Sequence, residues 1–153
     1  MIDKIIISDT SCLIALEGIN QLNILHQLFS SILITKEVET EFGKSLPNWI
    51  IIQQLQYPKK KAELRQIVDE GEASAIALAL ETDNCLLIID EKKGRKLAES
   101  LHIKIAGTLQ ILLLAKSKGL ITSLAQMLSQ LEKQNFRFTN SLKEEVLKKA
   151  NEW

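Results

Sequence analysis

The chain has 153 residues, of which 46% are hydrophobic and 25% charged, and its 19 basic residues are balanced by 19 acidic ones. This length allows one domain with a sizeable core and argues against two, and the composition excludes intrinsic disorder. The zero net charge excludes global electrostatic steering, so a surface that binds nucleic acid must come from local clusters of Lys and Arg.

The cysteines and the first apolar run bear on the cellular compartment. Cys12 and Cys85 lack the CxxC spacing and the neighbouring histidines of a zinc site, so buried, reduced thiols are expected. The apolar run at 5–8 ends at Asp9, too early for a signal peptide or a membrane span. We therefore expect cytoplasmic localisation and no membrane partner.

Short apolar, β-branched runs alternate along the chain with segments of helical spacing. The runs predict buried strands, at residues 5–8, 31–34, 49–52, 85–89 and 103–106. The other segments predict helices, at residues 12–17, 21–29, 36–42, 62–68, 72–82, 92–100, 108–118 and 123–133, with a last helix capped by Ser141 and Glu144. Such alternation specifies an α/β fold, with a parallel sheet between helices.

We expect one domain over residues 1–153. The last helix has an apolar face at helical spacing, which predicts that the C-terminal helices, at about 122–153, pack on the body.

Acidic residues follow two of the predicted strands. Asp9 follows the first strand, and Asp90 and Glu91 follow the fourth. In a parallel sheet, binding sites lie beyond the carboxyl ends of the strands, where these side chains would meet. Each acid also has a structural alternative, since Asp9 and Asp90 stand where helix caps are expected.

Two further acids, Glu41 and Glu72, come from helices that can reach the same edge. Asp69 and Glu72 match a capping box, and Glu41 could be a solvated helix residue. Taken together, the acids would form a cluster that repels itself unless a cation neutralises it. Oxygen donors without His or Cys suit Mg²⁺ or Mn²⁺, an ion that supports phosphodiester hydrolysis.

Five segments resemble the PIN domain, within it the branch related to toxin ribonucleases of toxin–antitoxin pairs. They run in the family's order and the resemblance spans residues 5 to about 153: SDTSCLIAL at 8–16, VETEF at 38–42, DEGEASAIALA at 69–79, LLIIDEKKGRKLA at 86–98 and IAGTLQILLLAKSKGLI at 105–121. The resemblance implies a three-layer α/β/α fold with a central parallel sheet of about four to five strands. It also implies a metal-dependent endoribonuclease that uses Mg²⁺ or Mn²⁺.

The resemblance also implies a catalytic set, which is Asp9, Glu41, Glu72 and Asp90, with Glu91 as the alternative to Asp90. Asp9, Glu72 and Asp90 would bind the metal. One departure from the family pattern is Lys36, where many relatives have proline before the short helix.

Polar and basic residues beside the acids are candidate RNA contacts. These are Thr10 and Ser11 after the first strand, and Lys92, Lys93, Arg95 and Lys96 after the fourth, although a helix start and a solvated helix face explain them as well. The expected partners are an RNA substrate and a cognate antitoxin protein, and a homodimer is left open.

Other functions fit the acids less well. A haloacid dehalogenase-type phosphatase needs a second Asp two residues after the first, where this chain has Ser11. A receiver domain needs an acidic pair after an earlier strand, but Asp9 already ends the first one. A catalytically silent PIN fold that binds RNA or protein is the remaining alternative.

Overall fold

The computed structural model describes residues 4–153, so the first three residues of the predicted domain lie outside it. Five strands and nine helices make up this part of the chain: β1 (Ile5–Ser8), α1 (Thr10–Gly18), α2 (Asn23–Phe29), β2 (Ile32–Ile34), α3 (Lys36–Phe42), β3 (Ile50–Ile52), α4 (Pro58–Leu64), α5 (Glu70–Leu80), β4 (Cys85–Ile88), α6 (Lys92–Ser100), β5 (Ile105–Ala106), α7 (Thr108–Ser117), α8 (Leu124–Lys133) and α9 (Asn140–Lys149).

The strands form one parallel sheet in the order β3-β2-β1-β4-β5. Helices cover both faces, because alternate residues of β1 enter different cores. Ile6 packs with α1, α7 and the C-terminal helices, whereas Ile7 packs with α4, α5 and α6. The predicted α/β/α fold with four to five strands is confirmed.

The strand order places a crevice between β1 and β4. The chain leaves β1 toward β2 on one side, and it leaves β4 toward β5 on the other, so the direction of winding reverses between them. Such a reversal opens a cleft beyond the carboxyl ends of the two strands. The two strands pair from Ile5 with Cys85 to Ser8 with Ile88, which brings the following residues, Asp9 and Ile89, side by side.

Several predicted helix starts are shifted by one to four residues, and two of these shifts have a clear physical reason. The helix predicted at 62–68 spans Pro58–Leu64 instead, because Pro58 occupies its first turn, where the fixed φ of proline favours a helix. The last helix is capped by Thr139, whose hydroxyl accepts a hydrogen bond from Leu142 N at 3.0 Å, rather than by Ser141. Both errors concern boundaries, and the sheet is unaffected.

The last two helices pack on α7 and share its core. Leu128 of α8 and Val146 of α9 are buried in the same cluster as Leu112 of α7. Both cysteines are free thiols, with Cys12 buried. Within residues 4–153, the structure contains no helix with both the length and the apolar character that a bilayer crossing requires.

Candidate active site

A cavity of about 530 Å³ opens at the carboxyl edge of the sheet, beyond β1. Its acidic lining comes from four elements and their flanks, and consists of Asp9, Glu41, Asp69, Glu72 and Glu91. The structure therefore brings together four of the five predicted catalytic acids. Asp90 does not line this cavity.

Asp9 stands at the N-cap position of α1 but makes no capping hydrogen bond through its side chain. The residue is 4% exposed, and its Oδ1 has no hydrogen-bond partner among the described residues. Burial, together with the charges of Asp69, Glu41 and Asp90, outweighs a hydrogen bond from the Thr10 backbone and raises the pKa of Asp9 to about 7. Helix capping thus fails to explain an acid here.

Glu72 lies in the first turn of α5 and is 5% exposed. Burial, then the neighbouring carboxylate of Asp69, raises its pKa to about 8. Its Oε2 also lacks a partner in the described chain. This oxygen faces Gly94 of α6, where a Cβ would stand only 2.5 Å away, so the glycine makes room for the carboxylate.

Glu41 reaches the cavity from α3. Its Oε1 accepts a hydrogen bond from the Thr10 hydroxyl. The carboxylate lies directly over Gly71, and any Cβ at that position would collide with it. Glu41 and Thr10, which were predicted separately as site residues, are therefore in direct contact, and the glycine of the GEAS stretch permits the approach of Glu41 to α5.

A buried pair of hydroxyls fixes α3 against α5. Thr35 caps α3 by accepting a hydrogen bond from Val38 N at 3.2 Å, and its Oγ1 lies 2.7 Å from Ser74 Oγ of α5. Lys36 occupies the first helical position, so the helix forms without the proline of many relatives. This link holds the helix of Glu41 beside the helix of Glu72, and sequence analysis missed both hydroxyls.

Asp69 both caps a helix and lines the cavity. Its Oδ1 accepts a hydrogen bond from Glu72 N at 2.9 Å, which confirms the predicted cap. Capping uses one oxygen only, and the charge still raises the pKa of Asp9 and of Glu72. The cluster of three acids in DEGE was the signal that could have identified Asp69 as a site residue.

Asp90 faces a different helix from the one that it was predicted to cap. Its Oδ1 accepts from Thr108 N at 2.8 Å, and its Oδ2 accepts from Thr108 Oγ1 at 2.6 Å and Ser11 Oγ at 3.4 Å. Asp90 thus satisfies the N-terminus of α7, whereas Glu91 takes the N-cap position of α6. Its role as a metal ligand stays a prediction.

The predicted basic residues occupy three kinds of position. Lys93 lines the carboxylate cavity, while Lys92 and Lys96 are exposed on α6. Arg95 is half-buried, and its Nη1 donates to Ile89 O at 2.9 Å. Lys93 is therefore the only one of these four basic residues that lines the cavity with the acids.

The donors in the cavity fit a hard cation. Within residues 4–153, no three His, Cys, Asp or Glu side chains are grouped so that they could hold a metal ion together. Mg²⁺, however, is usually bound through one or two carboxylates and keeps several waters. Asp9 and Glu72, each with a buried oxygen that lacks a partner, meet that requirement.

The comparisons with known proteins agree with this arrangement. A family model described as a PIN domain matches residues 5–152, which is nearly the whole chain. Among curated proteins and among solved structures, none matches the chain significantly.

Proposed function

Because the chain belongs to the PIN-domain family, we propose that it is a metal-dependent endoribonuclease in which Asp9 and Glu72 hold Mg²⁺ or Mn²⁺. PIN domains are generally nucleases and typically use divalent metal ions. The observation that carries the proposal is the pair of buried carboxylate oxygens without partners on two residues of one cavity. Buried carboxylates in this state are stable only with a proton or a cation.

Each residue of the cavity has a role in this proposal. When bound, the ion stabilises charge on a phosphodiester and makes water more acidic. Glu41, Asp69 and Glu91 lie around the pair and can accept protons and orient water by hydrogen bonds. Lys93 binds the phosphate as a point charge beside the acids.

Asp90 acts as a positioning residue rather than as a third ligand. Its carboxylate ties Thr108 of α7 to Ser11 of α1, so it fixes the start of α1, where Asp9 stands. Glu91, which lines the cavity, is then the acid that follows β4 at the site. Of the two acids that the sequence leaves open after β4, the proposal therefore takes Glu91, and the lining of the cavity supports this choice.

The test is cleavage of labelled single-stranded RNA with Mg²⁺, with Mn²⁺ and with EDTA. Asp9→Asn should lower the rate more than about a hundredfold, since a catalytic metal contributes several kcal/mol. Asp83→Asn is the matched control, because it removes the same charge from an exposed residue at the opposite edge of the sheet. Cleavage that survives EDTA, or equal rates for the two variants, would overturn the proposal.

We further propose that this nuclease is the toxin of a toxin–antitoxin pair, which rests on the resemblance of the motifs. A small reading frame beside the gene, whose product co-purifies with the chain and stops cleavage, is the expected finding. The alternative is a silent PIN fold that binds RNA or protein. Absence of cleavage with Mn²⁺, despite RNA binding, would favour it.

A further inference from the structure

A second cavity, of about 270 Å³, lies beside the carboxylate cavity, between the start of α7 and the connection from α8 to α9. Its lining includes Asp90, Arg95, Phe136, Arg137 and Phe138. The two cavities adjoin at one hydrogen bond, since Ser11 lines the first, Asp90 lines the second, and Ser11 Oγ donates to Asp90 Oδ2 at 3.4 Å.

Two aromatic rings form the apolar part of this second cavity. The ring centroids of Phe136 and Phe138 are 6.4 Å apart with an angle of 43° between the planes. Both side chains are half-buried and pack against the core, so their positions are fixed. A nucleobase can stack on such a ring whatever its sequence.

Two arginines form the basic part. Arg137 is exposed, and among residues 4–153 it makes no ion pair. Arg95 uses Nη1 for the Ile89 carbonyl, which orients the guanidinium and leaves other N–H donors. Planar guanidinium groups suit phosphate oxygens, because they can donate two parallel hydrogen bonds.

We propose that this second cavity binds one nucleotide of a single-stranded RNA, with the base on Phe136 or Phe138 and its phosphate on Arg137 and Arg95. The choice of RNA rests on the proposed function. A cavity of five acids repels a phosphate chain, so the affinity must come from cations nearby. The adjoining position would place the next phosphodiester beside Asp9 and Glu72.

The first test measures binding without cleavage. The full chain in EDTA is titrated into a short fluorescein-labelled single-stranded RNA, and anisotropy is followed at several salt concentrations. Arg137→Ala should weaken binding severalfold and reduce the slope of log K against log salt by about 0.7, the value for one phosphate contact on a single strand. Lys133→Ala, which removes an exposed charge outside the cavity, should change neither.

The second test concerns the rings. Phe138→Leu keeps apolar packing but removes the stacking face, so it should weaken binding about tenfold without changing the salt slope. Phe29→Leu is the control, because Phe29 packs against the same core away from the cavity, and thermal melts of both variants report folding. A folded protein that carries both Phe136→Leu and Phe138→Leu and still binds as well as wild type contradicts the stacking.

These results separate the two proposals. Wild-type protein that does not bind the RNA, or an Arg137→Ala variant that matches Lys133→Ala, overturns the nucleotide site even where RNA is cleaved. Binding that depends on Arg137 and Phe138 supports the site even where no cleavage occurs with Mg²⁺ or Mn²⁺, a result that would overturn only the nuclease proposal.

Discussion

Asp9 is a buried carboxylate and Glu152 a partly buried one, and the hydrogen bonds that the two accept are very different. Glu152 accepts from Leu124 N at 2.7 Å and from Ala125 N at 2.9 Å at the start of α8, and Lys116 Nζ lies 3.0 Å away. Burial alone would raise its pKa, but the two amides and Lys116 outweigh burial and lower its pKa to about 2. Asp9 has an oxygen without a partner and a pKa raised to about 7.

The ionised carboxylate of Glu152 stabilises the fold, whereas an ionised carboxylate at Asp9 destabilises it. The charge of Glu152 is favourable because a helix N-terminus and a cation receive it. The charges of Asp9 and Glu72 are unfavourable until something positive reaches them. Unfavourable buried charge of this kind is typical of functional sites.

The largest expected effect is an inverse dependence of stability on pH in metal-free protein. Asp9 and Glu72 keep their protons in the native state up to about pH 7 and 8, whereas the unfolded chain loses them near pH 4. The native state therefore binds more protons in this window, and the free energy of unfolding falls as pH rises. Each carboxyl contributes at most about 1.4 kcal/mol per pH unit.

Urea unfolding in EDTA between pH 5 and 8 measures this effect. The double variant Asp9→Asn with Glu72→Gln removes both titrating groups and should flatten the profile. A wild-type free energy of unfolding that stays constant or rises over this range would contradict the picture of two neutralised acids. Glu152 contributes little to the profile there, because its pKa is about 4.5 or lower in both states.

A smaller effect is expected from the opposite region. Glu152→Gln keeps the shape but removes the charge that two amides and Lys116 receive, so it should cost about 2 kcal/mol at pH 7. For a domain of this size, the melting temperature falls by about 4–8 °C. The loss should shrink as pH falls from about 4.5 toward 2, because wild type then becomes protonated and loses the same stabilisation.

Glu144→Gln is the control for Glu152→Gln. Glu144 pairs with Lys148 at 2.9 Å on the exposed face of α9, where such pairs are worth about 0.5 kcal/mol. If both variants lowered the melting temperature equally, burial and the helix N-terminus would not explain the stability that Glu152 provides.

The sequence predicts where the acids stand along the chain, but it does not predict which way their side chains point. The positions of Asp9 and Asp90 after their strands can be predicted from local patterns. A buried strand is a continuous apolar run, and the first acidic residue after the run marks where the strand ends. The direction of a side chain beyond that point is set by distant partners. Asp90 turns away from the cavity because Thr108, 18 residues later, offers it two donors.

Residues that act through tertiary contact were missed for the same reason. Thr35 and Ser74 are 39 residues apart, and neither hydroxyl stands out in its own helix. Phe136 and Phe138 lie in a connection without periodicity, so no pattern assigns them a face. Glu152, one residue before Trp153, gives no local signal of the helix start that it binds.

The smallest and most specific prediction combines metal binding with Asp9→Asn. An ion that binds only the native state stabilises it by RT ln(1 + [L]/Kd), about 1.4 kcal/mol at ten times Kd, or a rise of about 3–6 °C in melting temperature. Thermal melts with and without Mg²⁺ measure it.

At pH 8, metal-free Asp9→Asn should melt above wild type, because one repelling charge is gone, and added Mg²⁺ should shift the melting temperature of the variant little. If Asp9 were only a helix cap, asparagine would replace it without loss, and the two proteins would melt alike and respond equally to Mg²⁺. The Asp9 side chain makes no capping hydrogen bond to α1, which argues for the first outcome.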